Sequence, residues 1–147
     1  MDRNFDALKL DNQLCFPLYV CAKEIVKRYK PFLDEIGLTY TQYITMMAMW
    51  EHEELSVKEL GKLLFLDSGT LTPVLKTLEK KGFLSRCRSA EDERILIVSL
   101  TEQGRALQAR AIEVPYKMQG CVSLDGQDAA ALYRILHSMM DSMQNDQ

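Results

Sequence analysis

A mainly α-helical fold of about six helices with one small β-hairpin, a winged helix-turn-helix, is predicted for this chain. Three observations predict it. Apolar residues recur at helical spacing along most of the 147 residues, two capping boxes precede short apolar stripes near the middle, and after Gly82 the period falls from helical to about two.

Leu14, Leu18, Cys21, Ala22, Ile25, Tyr29, Phe32, Leu33 and Ile36 outline a first helix over roughly Asp11 to Ile36, with Gly37 at the place of a left-handed cap. Pro17 lies inside it and predicts a kink or a later start. Thr39 and Gln42 form a capping box before Tyr43, Met46, Met47 and Trp50, a second helix ending near Glu51. Ser56 and Glu59 repeat the pattern before Leu60, Leu63 and Leu64, a short third helix that stops by Leu66.

Asp67-Ser-Gly then turns the chain into a fourth helix over residues 69–81, with Leu71, Leu75 and Leu78 on one face and Gly82 as its stop. Pro73 is tolerable only near its start. Two short helices around a tight turn are the helix-turn-helix pattern, whose second helix enters a major groove. FLSRCRS, the polar AEDE and RILIVSL follow as a hairpin, or wing, with Leu96, Val98 and Leu100 on one face. Thr101 caps a fifth helix through Leu107, Ala111 and Val114, which Pro115 must bend or interrupt. Asp125 caps a sixth carrying Leu132, Leu136, Met139 and Met143. No repeat or linker divides the chain, so residues 1–147 read as one domain with a winged core at about 39–100.

The net charge of −3 conceals an asymmetry. From Val74 to Ala90, Lys76, Lys80, Lys81, Arg86 and Arg88 stand against Glu79 alone, five basic residues to one acid or +4 in an acidic protein. A charge run on a helix is ordinarily a solvated face. Here it lies on the second helix of the helix-turn-helix and continues into the hairpin, which points to double-stranded DNA. Ser68, Thr70 and Thr72, with Pro73 beside them, open the recognition helix, whose N-terminus favours phosphate. Lys76 lies deeper, and Arg86, Arg88 and Arg94 extend along the wing. Asp92, two residues before Arg94, is placed to hold that guanidinium extended toward a minor groove.

Four cysteines, Cys15, Cys21, Cys87 and Cys121, show no CxxC spacing, so neither a metal nor any cofactor is expected. No apolar run approaches the ~20 residues of a membrane span, and no secretory pattern opens the chain, so a soluble cytoplasmic protein without a disulfide framework is expected.

DSGTLTPVLKTLEKKGFLSR followed by SAEDERILIVSLTEQG resembles the recognition helix and wing of the MarR family of winged-helix repressors, the D-x-R of the wing being Asp92 and Arg94. The match covers about residues 56 to 105, and the flanking helices follow the family's order. The resemblance implies a homodimer whose first and last helices, about 11–36 and 101–143, interlock, and which binds a pseudo-palindromic operator. QLCFPLY, Tyr29 and the LTYTQY of residues 38–43 further resemble the branch of organic-hydroperoxide-sensing regulators.

That resemblance implies that Cys15 is the reactive thiol. The reduced dimer would repress a gene for a peroxide-detoxifying enzyme, and oxidation to a sulfenic acid, then to a protein disulfide or a mixed disulfide with a low-molecular-weight thiol, would release DNA. Tyr19, Tyr29 and Tyr40 are its implied tuning hydroxyls, and Cys121 resembles the resolving position of two-cysteine members. Tyr29 lies fourteen residues from Cys15, ~21 Å along a straight helix, so it must reach that thiol from a partner chain. Cys21, about 9 Å along the axis from Cys15, is expected in the core, and Cys87 in the wing's first strand. Pro17 departs from the pattern and bears on peroxide selectivity. One alternative is a MarR-type regulator that senses a small phenolic ligand between helices 1, 2 and 5, with Cys15 unreactive. Another is a thiol peroxidase, disfavoured because no His or Arg stands near Cys15, so a non-enzymatic role is expected. A third is a DNA-associated structural protein without effector.

Overall fold

The computed structural model describes residues 4–145. Phe5–Leu8 and Leu10–Asn12 form two 3-10 turns, and the first α-helix, α1, runs Cys15–Asp34. Of the two outcomes that Pro17 predicts, the later start is the one observed, at Cys15 instead of near Asp11. Pro17 then falls in the first turn, where a missing N–H has no helical acceptor to lose. Pro31, a proline not anticipated as a helix interruption, leaves the Lys27 carbonyl without its helical donor. The helix closes as expected at Gly37 (φ +69°): Leu38 donates to the Leu33 carbonyl and Gly37 to that of Asp34.

α2 spans Tyr40–His52 and α3 Val57–Leu64, each opened by the capping box read from the sequence, with both reciprocal bonds formed. Between them lies a short strand, β1 (Glu54–Ser56), which three residues cannot announce by periodicity. α4 spans Ser68–Lys80, capped by Asp67, whose side chain accepts the Thr70 N–H. β2 (Leu84–Arg88) and β3 (Leu96–Leu100) are the two arms of the expected hairpin. β1 adds to its far edge, so the wing is a three-stranded antiparallel sheet in the order β1-β3-β2, with Val98 opposite both Leu55 and Arg86.

The expected fifth helix is two: α5 (Glu102–Ala111) and α6 (Glu113–Met118). Pro115 lacks the N–H that would bond the Ala111 carbonyl, and the helix ends at that residue. With α7 (Gly126–Asn145) the described residues form seven α-helices instead of about six.

The core joins α2, α3, α4 and the sheet through Met46, Met49, Leu60, Leu71, Leu75, Leu78, Leu84 and Val98, and takes in Leu107 of α5 and Val114 of α6. Outside it lie two uncovered apolar stripes. α1 buries only Leu33, leaving Leu14 and Leu18 exposed. α7 buries nothing and exposes Leu132, Tyr133, Ile135, Met139, Met140 and Met143. Among the described residues no helix is long and apolar enough to cross a membrane.

Candidate nucleic-acid interface and sensing thiol

α4 buries Leu71, Leu75 and Leu78 and turns Ser68, Thr70, Pro73, Lys76 and Lys80 outward. Thr72 is half-buried and donates its hydroxyl to the Ser68 carbonyl at 2.6 Å. At the helix N-terminus the Asp67 carboxylate takes the Thr70 N–H at 2.7 Å. That bond holds the Asp67 carboxyl below the usual carboxylate range.

In the wing, Asp92 grips Arg94 with both oxygens, at 3.1 Å from Nε and 3.2 Å from Nη2, while the arginine side chain stays 90% exposed. Asp92 is itself set by the Ser89 hydroxyl, which accepts the N–H groups of Glu91 and Asp92. Arg88 is exposed as expected. Arg86 is a correction: its side chain is only 18% exposed, its guanidinium donates to Glu79 of α4 at 3.2 Å, and its Nε is buried without a partner. It fastens the wing to the helix instead of facing outward. Lys81 likewise donates to the Gly37 carbonyl and to Gln42, bracing α4 against the α1–α2 turn. The outward cations are therefore Lys76, Lys80, Arg88 and Arg94.

Cys15 is the first residue of α1 and is exposed, between exposed Leu14 and Phe16. Tyr19 is also exposed, its ring 5.6 Å from the Lys23 ammonium. Tyr29 and Tyr40 pack at a tilt with ring centroids 5.1 Å apart, and a third ring joins them: Tyr43, at 5.9 Å from Tyr29 and 6.4 Å from Tyr40. Burial raises the pKa of all three, with Tyr29 adding to the rise at Tyr40 and Tyr43, so the phenols remain protonated donors at neutral pH. Tyr43 was legible as a partner of Tyr40 only by its spacing of three on one helix.

α1 is continuous from Cys15 to Tyr29, so those residues of one chain stand ~21 Å apart. Cys121 follows α6, its carbonyl accepting from Arg28 at 2.9 Å and its Sγ lying 3.6 Å from the Lys117 carbonyl. Arg28 is thirteen residues beyond Cys15, about 20 Å along the same helix. Cys21, expected in the core, is exposed and lines a shallow 340 Å³ cavity with Phe16, Pro17 and Val20. Cys87 is exposed on β2.

Residues 27–110 match the family described as Transcriptional regulator SarA/Rot. Over 143 residues the chain is 45% identical to the organic hydroperoxide resistance transcriptional regulator of Bacillus subtilis, covering 97% of each. The chain belongs to the MarR family. Within it, it falls on the branch of organic hydroperoxide resistance regulators. Among solved MarR-family structures it superposes on the reduced, DNA-bound AbfR of Staphylococcus epidermidis with a TM-score of 0.80 at 29% identity, covering 95% of this chain and 96% of that one. Against the disulfide-formed AbfR the TM-score is 0.65 at 32% identity, covering 92% and 95%. The chain's shape is therefore nearer that relative's reduced, DNA-bound form.

Proposed function

We propose that this chain is a dimeric transcriptional repressor that holds a pseudo-palindromic DNA operator while Cys15 is reduced and releases it when an organic hydroperoxide oxidises that thiol. The observation that carries the reading is one chain that presents an exposed cysteine at the start of α1 and, on a separate surface, an outward cationic row along α4 and the wing. The DNA-bound, reduced state of AbfR and the name of the Bacillus subtilis relative support the two halves.

The chemistry needs no cofactor. The Cys15 thiolate attacks the distal oxygen of RO–OH, the O–O bond breaks, the alcohol leaves with a proton, and the sulfur becomes a sulfenic acid. A second thiol, either Cys121 of another subunit or a low-molecular-weight thiol, then condenses with it and water leaves. Tyr29, with Tyr40 packed 5.1 Å from it, acts on Cys15 from the partner chain, because ~21 Å separates Tyr29 from that thiol in its own. The uncovered stripes of α1 and α7 supply the interface for that partner.

A gel-shift titration tests the proposal. Reduced wild type is expected to lose DNA affinity on adding cumene hydroperoxide, and Cys15→Ser to keep it. Oxidised wild type that stays bound overturns the sensor role, and a Cys15→Ser protein that still responds assigns sensing elsewhere.

A further inference from the structure

The first turn of α5 is attached to the winged core at three places. Thr101 donates its hydroxyl to the Gly82 carbonyl at 2.6 Å, Trp50 of α2 donates its indole N–H to the Gly104 carbonyl at 2.9 Å, and Arg105 donates to Glu53 at 3.0 Å while holding Glu102 at 2.9 Å. These reach three different elements: the α4–β2 turn, the body of α2, and the joint between α2 and β1. Two attachment points leave a rotation about the line joining them, and the third removes it.

The third point is also where the backbone is strained. Glu53 stands at φ 62°, ψ −36°, a conformation that L side chains rarely adopt. Its remaining groups are all engaged, the N–H donating to the Met49 carbonyl at 2.8 Å and the carbonyl accepting from Leu100 at 2.9 Å. A strained residue persists only where its surroundings over-determine it, and the Arg105 bond is the one of these that joins it to α5. That ion pair is largely exposed, with side chains 43% and 61% accessible, so it adds little to stability and its effect is on orientation.

We infer that Arg105, acting through Glu53, is a positioning residue that fixes the angle at which the winged unit leaves α5, and so the separation of the two recognition helices in a dimer. This rests on the DNA-binding reading above. In a two-fold complex those helices must meet half-sites ~34 Å apart, so a small rotation at the root of α5 is magnified at α4.

The test uses full-length reduced protein and a duplex that wild type selects from a random-sequence pool, with matched duplexes carrying one base pair more or fewer between half-sites. Wild type is expected to discriminate sharply among the three. Arg105→Gln and Glu53→Gln are each expected to lower that discrimination by at least about fivefold while thermal unfolding and the rate of Cys15 oxidation stay put. A general loss of folded protein would weaken binding to all three duplexes alike and leave the ratio unmoved. An unchanged ratio in either variant overturns the inference alone. Wild type indifferent to spacing overturns the two-fold DNA-binding reading and this inference with it.

Discussion

Arg86 and Arg94 belong to one hairpin, yet their guanidiniums do opposite work. Arg94 is held out into solvent by a bidentate grip from Asp92, whereas Arg86 is folded back onto Glu79. The first pairing was legible because its partners stand two residues apart in a loop. The second was not, because Glu79 lies on another element and only the fold brings it to the strand. Asp92→Asn is expected to free Arg94, so that binding must immobilise one more long side chain and DNA affinity falls roughly 3- to 10-fold, read by fluorescence anisotropy on reduced protein. The pH dependence follows in sign. The side-chain bond from Arg94 depresses the Asp92 pKa, so the grip is fully present above the ordinary carboxylate pKa of about 4 and is lost only as pH falls through the lower, folded value. The wing's contribution to affinity should therefore be flat from about pH 8 down to pH 5, and a drop within that window would argue against it.

Helix boundaries show what local chemistry writes into a chain and what it leaves out. Thr39, Ser56, Asp67, Thr101 and Asp125 each cap a helix where a side-chain oxygen can meet a free N–H, and all but Asp67, which reads as a turn residue, are evident in the residue order. β1 escaped because three residues carry no period, whereas the α5–α6 break was announced by Pro115, which acts on a carbonyl four residues upstream. Gly104 escaped for another reason. As a glycine in a helix it reads as a weakness, but a Cβ there would stand 2.1 Å from the Phe83 carbonyl oxygen and 2.9 Å from Leu100. The obstacle is backbone, which cannot swing aside. Gly104→Ala, normally stabilising in a helix interior, is expected to cost about 3 kcal/mol here and lower Tm by roughly 6–12 °C in a calorimetric scan. A neutral or raised Tm would mean that α5 can lift off the sheet, and the rigid joint at its root would go with it.

For the molecule as a whole, the winged core was the more legible part because its residues are buried within one chain and so obey a periodicity that a single sequence displays. The apolar stripes of α1 and α7 show the same periodicity but no burial, since what covers them is not in the chain's own fold. The thiols follow the same division. Cys121 is tied to Arg28, about 20 Å along α1 from Cys15 of the same chain, while a disulfide needs Cα atoms within roughly 7 Å. Closing that gap internally would mean unravelling three turns of α1 or breaking the α6 contact with it. A Cys15–Cys121 bridge is therefore expected only between subunits. After one equivalent of hydroperoxide without added thiol, non-reducing electrophoresis should show such a bridge as a species of twice the chain mass, absent from Cys15→Ser and from Cys121→Ser. With a low-molecular-weight thiol present, the competing mixed disulfide should keep the chain at single mass plus the adduct. A Cys15–Cys121 peptide recovered from a species of single mass would show that α1 opens on oxidation, and the geometry that assigns the tuning tyrosines to the partner would fall with it.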